Sequence, residues 1–178
     1  MTNREEDRER MLMAVAKGIQ AFALLESGIT DCFGAMLGES APFQHIIFDA
    51  VRSFEMKIRI VDQMAPYTMT PETLQKWRDA RPLINEAVKN RNALAHWTIA
   101  ELPLPKSIPS PDDPPSDVYL VPHHGSTNGI LARHPHLGEP SSKPLTLQDI
   151  EAVPRLCFDA MVALSEITTE VRRLRLGQ

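Results

Sequence analysis

At 178 residues, with 43% hydrophobic and 24% charged residues and a formal net charge of −4, the chain has globular composition; this excludes a disordered polyampholyte and argues against a tight, sequence-blind nucleic-acid binder. A chain this long can bury roughly 70% of the surface its unfolded form exposes, so one domain over 1–178 is expected, needing no disulfide or metal staple. Aromatic residues are only 6%, so the core must be built from Leu, Ile, Val, Met and Ala, which favours helices over sheet.

The N-terminal Met-Thr-Asn and the charged run through Arg10 do not read as a secretion leader. No apolar stretch is expected to reach the ~20 residues of a membrane span, so the expectation is a cytoplasmic protein without membrane contact. Cys32 and Cys157 fall in helical patterns and have no zinc or redox spacing, so both are expected to be buried thiols.

The first helix is predicted over about 4–37. Asn3 with Glu6 resembles a helix start, and Leu12, Val15, Ile19, Phe22, Glu26, Ile29, Phe33 and Met36 form a stripe at three- and four-residue spacing. Glu26 is the one member wrong for a core. Its position implies either a buried partner or a place lining a cleft, and the competing account is that it reaches solvent at a kink allowed by Gly18, Gly28 and Gly34. A second helix is predicted over 43–64 after Ser40 and Pro42, with Phe43, Ile47, Ala50, Val51, Phe54, Ile58, Val61 and Met64 inward and Pro66 in the connection. A third is predicted over 71–97, with Thr70 as N-cap and Pro71 first, and with a kink or restart at Pro82. Its apolar contacts would come from Leu74, Trp77, Ile84, Val88, Leu94 and Ala95.

Ten of the fifteen prolines fall between Glu101 and Leu145. Within this excursion 118–121 and 129–133 read as short strands of a small β-hairpin. The last helix is predicted over 147–175. Thr146 and Asp149 form a capping box, Pro154 marks a kink or the start of the long part, and Ile150, Val153, Cys157, Met161, Leu164, Ile167, Val171 and Leu174 line the inner face.

Chemistry concentrates in Arg91-Asn92-Ala93-Leu94-Ala95-His96. Asn92 and His96 lie within about 40° of each other on a helix, and the long Arg91 side chain can sweep toward them. An arginine offers a permanent charge and a planar fork matched to phosphate oxygens. A histidine changes charge near neutrality and can move protons. An amide can orient either group or bind a ribose hydroxyl. The surrounding stretch 49–97 carries eight Lys/Arg (52, 57, 59, 76, 78, 81, 89, 91) against six Asp/Glu, a mildly basic patch in an acidic chain. The plainer account of the same residues has Arg91 paired with Glu86 or Glu26 and His96 as a cation at a helix C-terminus.

Arg-Asn-x-x-x-His near the end of the third helix of an all-helical chain resembles the HEPN superfamily, whose motif is an arginine, a neighbouring polar residue and a histidine after four to six residues. The resemblance extends to the Ala-Leu-Ala filling, Trp97 and the long first and second helices. It does not cover the proline-rich excursion. It implies an antiparallel four-helix bundle with the hairpin between helices three and four, and no strand within the first ninety-seven residues. It further implies a metal-independent endoribonuclease of a toxin-antitoxin or defence type. Arg91, Asn92 and His96 would be catalytic, Glu26 would position Arg91, and no cofactor is expected. RNA would be the substrate. A homodimer would share the site, and an antitoxin or nucleotidyltransferase protein would be a possible partner. The alternative within the resemblance is a non-catalytic module that binds RNA, a nucleotide or a protein. His123, His124, His134 and His136 form a separate group in the excursion, read as surface histidines with a divalent-metal site as the competing account.

Overall fold

Asn3–Leu37 forms one helix, α1. In its C-terminal half Phe22, Ile29, Phe33 and Met36 are buried as the spacing predicts. Its N-terminal half is turned by one position. Met11, Ala14 and Gly18 face inward, whereas Leu12 and Ile19 stay 54% and 43% exposed. Small residues choose that face, because a Cβ at Gly18 would lie 2.4 Å from Leu94 Cδ1. The Leu94 side chain packs into the space that a side chain at Gly18 would take.

The computed structural model describes residues 3–38, 41–102, 117–122 and 145–177, and most of these residues are helical. The second predicted helix is in fact two, α2 (Ala41–Ala50) and α3 (Phe54–Thr68). The break follows from Ser53, whose hydroxyl accepts from Met56 N at 3.4 Å and caps α3. Phe43 and Ile47, expected inside, are exposed, and so is Ile46; α2 instead buries Phe48, which stacks on Phe33 with centroids 4.2 Å apart. Pro66, expected between helices, lies in the last turn of α3.

Thr70 caps α4 (Pro71–His96) as predicted, accepting from Thr73 N at 3.1 Å. The helix is not restarted at Pro82. It ends at His96, and strand β1 (Trp97–Leu102) begins at once. This strand was not predicted. It starts at Trp97, so the expectation of no strand within the first ninety-seven residues is corrected at its last residue. β1 pairs antiparallel with β2 (Asp117–Pro122), Ile99 opposite Leu120. The position of β2 agrees with the sequence reading, but the partner is β1. The expected strand 129–133 lies outside the described residues. On its other side Leu120 exchanges two 2.9 Å backbone hydrogen bonds with Leu145.

The Thr146–Asp149 capping box opens α5 (Leu147–Glu151). Thr146 N donates to Asp149 Oδ2 at 2.8 Å and Asp149 N to Thr146 Oγ1 at 3.2 Å. The long helix α6 (Val153–Arg175) follows, with Pro154 in its first turn. Val153, Cys157, Leu164, Ile167 and Val171 are buried along it, as the stripe predicts; Leu174 is exposed.

The chain groups into two compact units, Met1–Ile19 with Lys89–Val153 and Gln20–Val88 with Pro154–Gln178. In the second unit polar side chains join the helices. Asp62 of α3 accepts from Trp77 Nε1 at 2.8 Å and from Arg81 Nε and Nη2 at 3.0 and 3.1 Å. Glu170 of α6 takes the Lys76 ammonium and the Thr73 hydroxyl of α4. By length and composition α1 is also apolar enough to cross a membrane, one 18-residue window having a mean hydropathy of 1.3. The expectation that no such stretch exists is therefore corrected, although the core helix of a soluble protein meets the same criterion.

Candidate functional site

The last two turns of α4 are anchored from beneath and open above. Ala93 and Leu94 are buried, Leu94 against Gly18, so the backbone of this segment is held by packing within the first unit. The helical period then carries Asn92 and His96 to the opposite, exposed face, one turn apart. Arg91 is half-buried beside them, and its Nη1 donates to Asn92 Oδ1 at 3.2 Å. That bond fixes one corner of the guanidinium fork against an amide that still faces solvent. Among the described residues His96 makes no hydrogen bond or ion pair. Its ring sits in the final turn of the helix.

The structure thus brings Arg91 and Asn92 together by a direct bond and sets His96 on the Asn92 face. A phosphate approaching this surface meets a planar cationic donor, an amide and a proton-carrying ring within two helical turns. The donor types suit an oxyanion and the titration of an adjacent hydroxyl.

Glu26 belongs to the second unit, and its partner there is Lys57. The Lys57 ammonium donates to Glu26 Oε1 at 2.7 Å and lies 5.7 Å from the centre of the Phe48 ring. Lys57 is itself buried. Sequence reasoning missed it, although the signal was there: Lys57 follows Phe54 by three and precedes Val61 by four on an apolar stripe. A lone cation on one buried face and a lone carboxylate on another are natural partners, since neither is stable in a core unpaired.

Both cysteines are buried, as expected. Burial pushes the Cys32 thiol up to about 11 and raises that of Cys157. Neither is an activated nucleophile at neutral pH. His123, His124, His134 and His136 lie outside the described residues. Among the described residues no group of three or more His, Cys, Asp or Glu side chains converges on a metal position.

Comparison with known protein families, with curated proteins and with solved structures finds no match for this chain.

Proposed function

We propose that the chain is a HEPN-type endoribonuclease acting through Arg91, Asn92 and His96, as part of a toxin-antitoxin or defence system. The observation that carries this reading is the hydrogen-bonded Arg91–Asn92 pair on the exposed side of α4, with His96 one turn further along the same side. Exposed polar groups on a rigid, buried backbone are the arrangement that a reaction on a large external substrate needs.

In the proposed reaction a general base removes the proton of a ribose 2′-hydroxyl, and the 2′-oxygen attacks the adjacent phosphorus. The bond from phosphorus to the 5′-oxygen breaks, and a general acid returns a proton to that oxygen. The products are a 2′,3′-cyclic phosphate and a 5′-hydroxyl. His96 serves as base or acid. Arg91 faces the charge that grows on the non-bridging oxygens. Asn92 holds the guanidinium at its working angle. Two copies of the motif would face each other across a two-fold axis and share one cleft.

A second reading rests on the net charge of −4: a module of the same fold that binds RNA, a nucleotide or a partner protein without cutting. Incubation with bulk RNA, with and without chelator, decides between them. Cleavage that persists in chelator and leaves cyclic phosphate ends supports the nuclease. Intact RNA supports the binding module, and chelator-sensitive cleavage would transfer the chemistry to a metal site. The dimer is tested separately: a sedimentation mass of one chain at micromolar concentration would remove the shared cleft from the mechanism.

A further inference from the structure

The three arginines in the last turn of α6 have different surroundings. Arg173 acts on Glu170, whose carboxylate already holds Lys76 and Thr73 of α4. Arg172 and Arg175 are three residues apart and share one face of the helix, about 5–6 Å between Cβ atoms. Both line a pocket of about 490 Å³ within the second unit, formed by the end of α1, by α2 and by the last turn of α6. Two glycines make room for its polar walls. A Cβ at Gly34 would lie 1.4 Å from Gln44 Oε1, so the Gln44 amide rests on bare α1 backbone. At Gly38, whose φ of 76° itself favours glycine, a Cβ would lie 2.6 Å from Arg175 Nη1. Arg175 Nη2 donates to the Met36 carbonyl at the end of α1, which holds that guanidinium at the edge of the pocket. Among the described residues Arg172 makes no hydrogen bond or ion pair. Asp31 shares a neighbouring groove with Arg172 and does not pair with it. From Val171 to Gln178 the sequence has no Asp or Glu.

From this geometry we propose that the pocket binds a phosphate-bearing anion of two or more negative charges, with Arg172 as its main ligand-binding residue and Arg175 as a second cation already set in place. The inference goes beyond the ribonuclease reading and does not rest on it. The pocket belongs to the second unit, whereas Arg91, Asn92 and His96 belong to the first. A guanidinium offers two parallel N–H donors to phosphoryl oxygens, and two such forks side by side match a diphosphate better than a singly charged carboxylate. Arg175 is held in place before any ligand arrives. The Arg172 side chain, which has no partner to give up, closes on the anion. The competing role for these arginines is structural: cations at the C-terminal end of α6, with Arg175 also covering the end of α1. That role stabilises the fold without any ligand.

The test is equilibrium dialysis of the whole chain against radiolabelled inorganic pyrophosphate at low ionic strength, with radiolabelled ADP in a second series. Arg172→Gln is expected to weaken pyrophosphate binding about tenfold, the loss of one charge-assisted contact, and to leave the thermal midpoint without ligand nearly unchanged. Arg172→Lys should restore only part of the affinity, since it returns the charge without the fork. Arg173→Gln removes the same charge beside Glu170, and Arg91→Gln removes the cation proposed for the α4 site. Each should change the affinity less than about twofold, because neither residue lines this pocket. ADP bound as tightly as pyrophosphate identifies a free phosphate anion as the ligand. ADP bound at least about tenfold tighter, with the same loss in Arg172→Gln, identifies a nucleotide whose phosphates occupy the pocket. No binding of pyrophosphate at millimolar concentration overturns the inference. So does an Arg172→Gln chain that binds it as the unaltered chain does, or an equal loss in Arg173→Gln or Arg91→Gln. A lower midpoint in Arg172→Gln with affinity retained assigns the residue to the helix end alone. None of these results bears on whether the chain cuts RNA, which the chelator assay decides.

Discussion

Arg81 and Arg91 are ten residues apart on the same helix and are used in opposite ways. Arg81 reaches across to α3, where Nε and Nη2 hold both oxygens of Asp62, while Nη1 binds Asn85 at 2.7 Å and the guanidinium carbon sits 5.8 Å from the centre of the Trp77 ring. Its fork ties two helices together. Arg91 bonds to its own neighbour Asn92, a contact that joins nothing distant in the chain. A cation with a carboxylate on another helix is a structural clamp. A cation bonded to an adjacent exposed amide is steadied from within its own helix. The two segments should therefore fail differently when cut.

The largest effects come from exchanging these failures. His96→Ala should lower cleavage by 10²–10⁴-fold and leave the thermal midpoint nearly unchanged, because an exposed ring contributes little packing. Arg91→Lys should also lose activity, since a point charge does not replace the fork. Trp77→Ala should do the reverse. It removes a buried indole and a donor to Asp62, at a cost of about 3–5 kcal/mol in a denaturant titration, while each remaining folded molecule still cuts. An active enzyme carrying His96→Ala would end the case for this site. A Trp77→Ala protein of native stability would end the claim that this part of α4 is a clamp.

A middle-sized effect probes the floor under the motif. Gly18→Ala places a methyl group against Leu94 Cδ1, two positions from both Asn92 and His96. Leu94 is buried, so its side chain has little room to yield, and overpacking of this kind costs about 1–3 kcal/mol. If Leu94 positions the motif, activity should fall further than the loss of folded protein explains. Activity falling only in step with the folded fraction would show that the floor tolerates the shift.

The same contrasts explain how much the sequence discloses. α6 reads correctly because its buried line from Val153 to Val171 is much longer than the exposed pair Phe158 and Val162 on its other side, and a local capping box starts α5 just before it. α2 misleads because it has two apolar sides. Phe43, Ile46 and Ile47 form one and Phe48 the other, and the choice is made by Phe33, far away in the chain. In the first half of α1 the large residues pointed to one face and the small ones to its neighbour; packing followed Gly18. The Lys57–Glu26 pair required matching two anomalies thirty-one residues apart. The placement of Arg91, Asn92 and His96 near the end of α4 was visible because helical spacing alone sets it. Strand β1 was hidden because Trp97 continued an unbroken helical pattern, and only pairing with β2 reveals it.

The smallest effect concerns a second contact of α4, the Glu170 carboxylate with Lys76 and Thr73. The hydrogen bond from Lys76 holds the Glu170 carboxyl below its ordinary value of 4.5, helped by the Thr73 hydroxyl and opposed by partial burial. The same bond raises Lys76 above 10.5. A depressed carboxyl stabilises the fold above its unfolded pKa, and the gain is lost as pH falls through the depressed value. A raised ammonium stabilises below its unfolded pKa, and the gain is lost as pH rises through the raised one. The pair therefore contributes a plateau across the neutral range with a fall at each end. Side-chain exposures of 39% and 30% for Lys76 and Glu170 leave the pair open to screening, so the plateau should shrink as salt is added. Glu170→Gln should lower the plateau slightly and flatten the acid fall below about pH 4.5, while activity at neutral pH stays with the folded fraction. A midpoint-against-pH curve for Glu170→Gln that keeps its full acid fall would assign that fall to other carboxylates, and the Glu170 contact with α4 would then contribute position without stability.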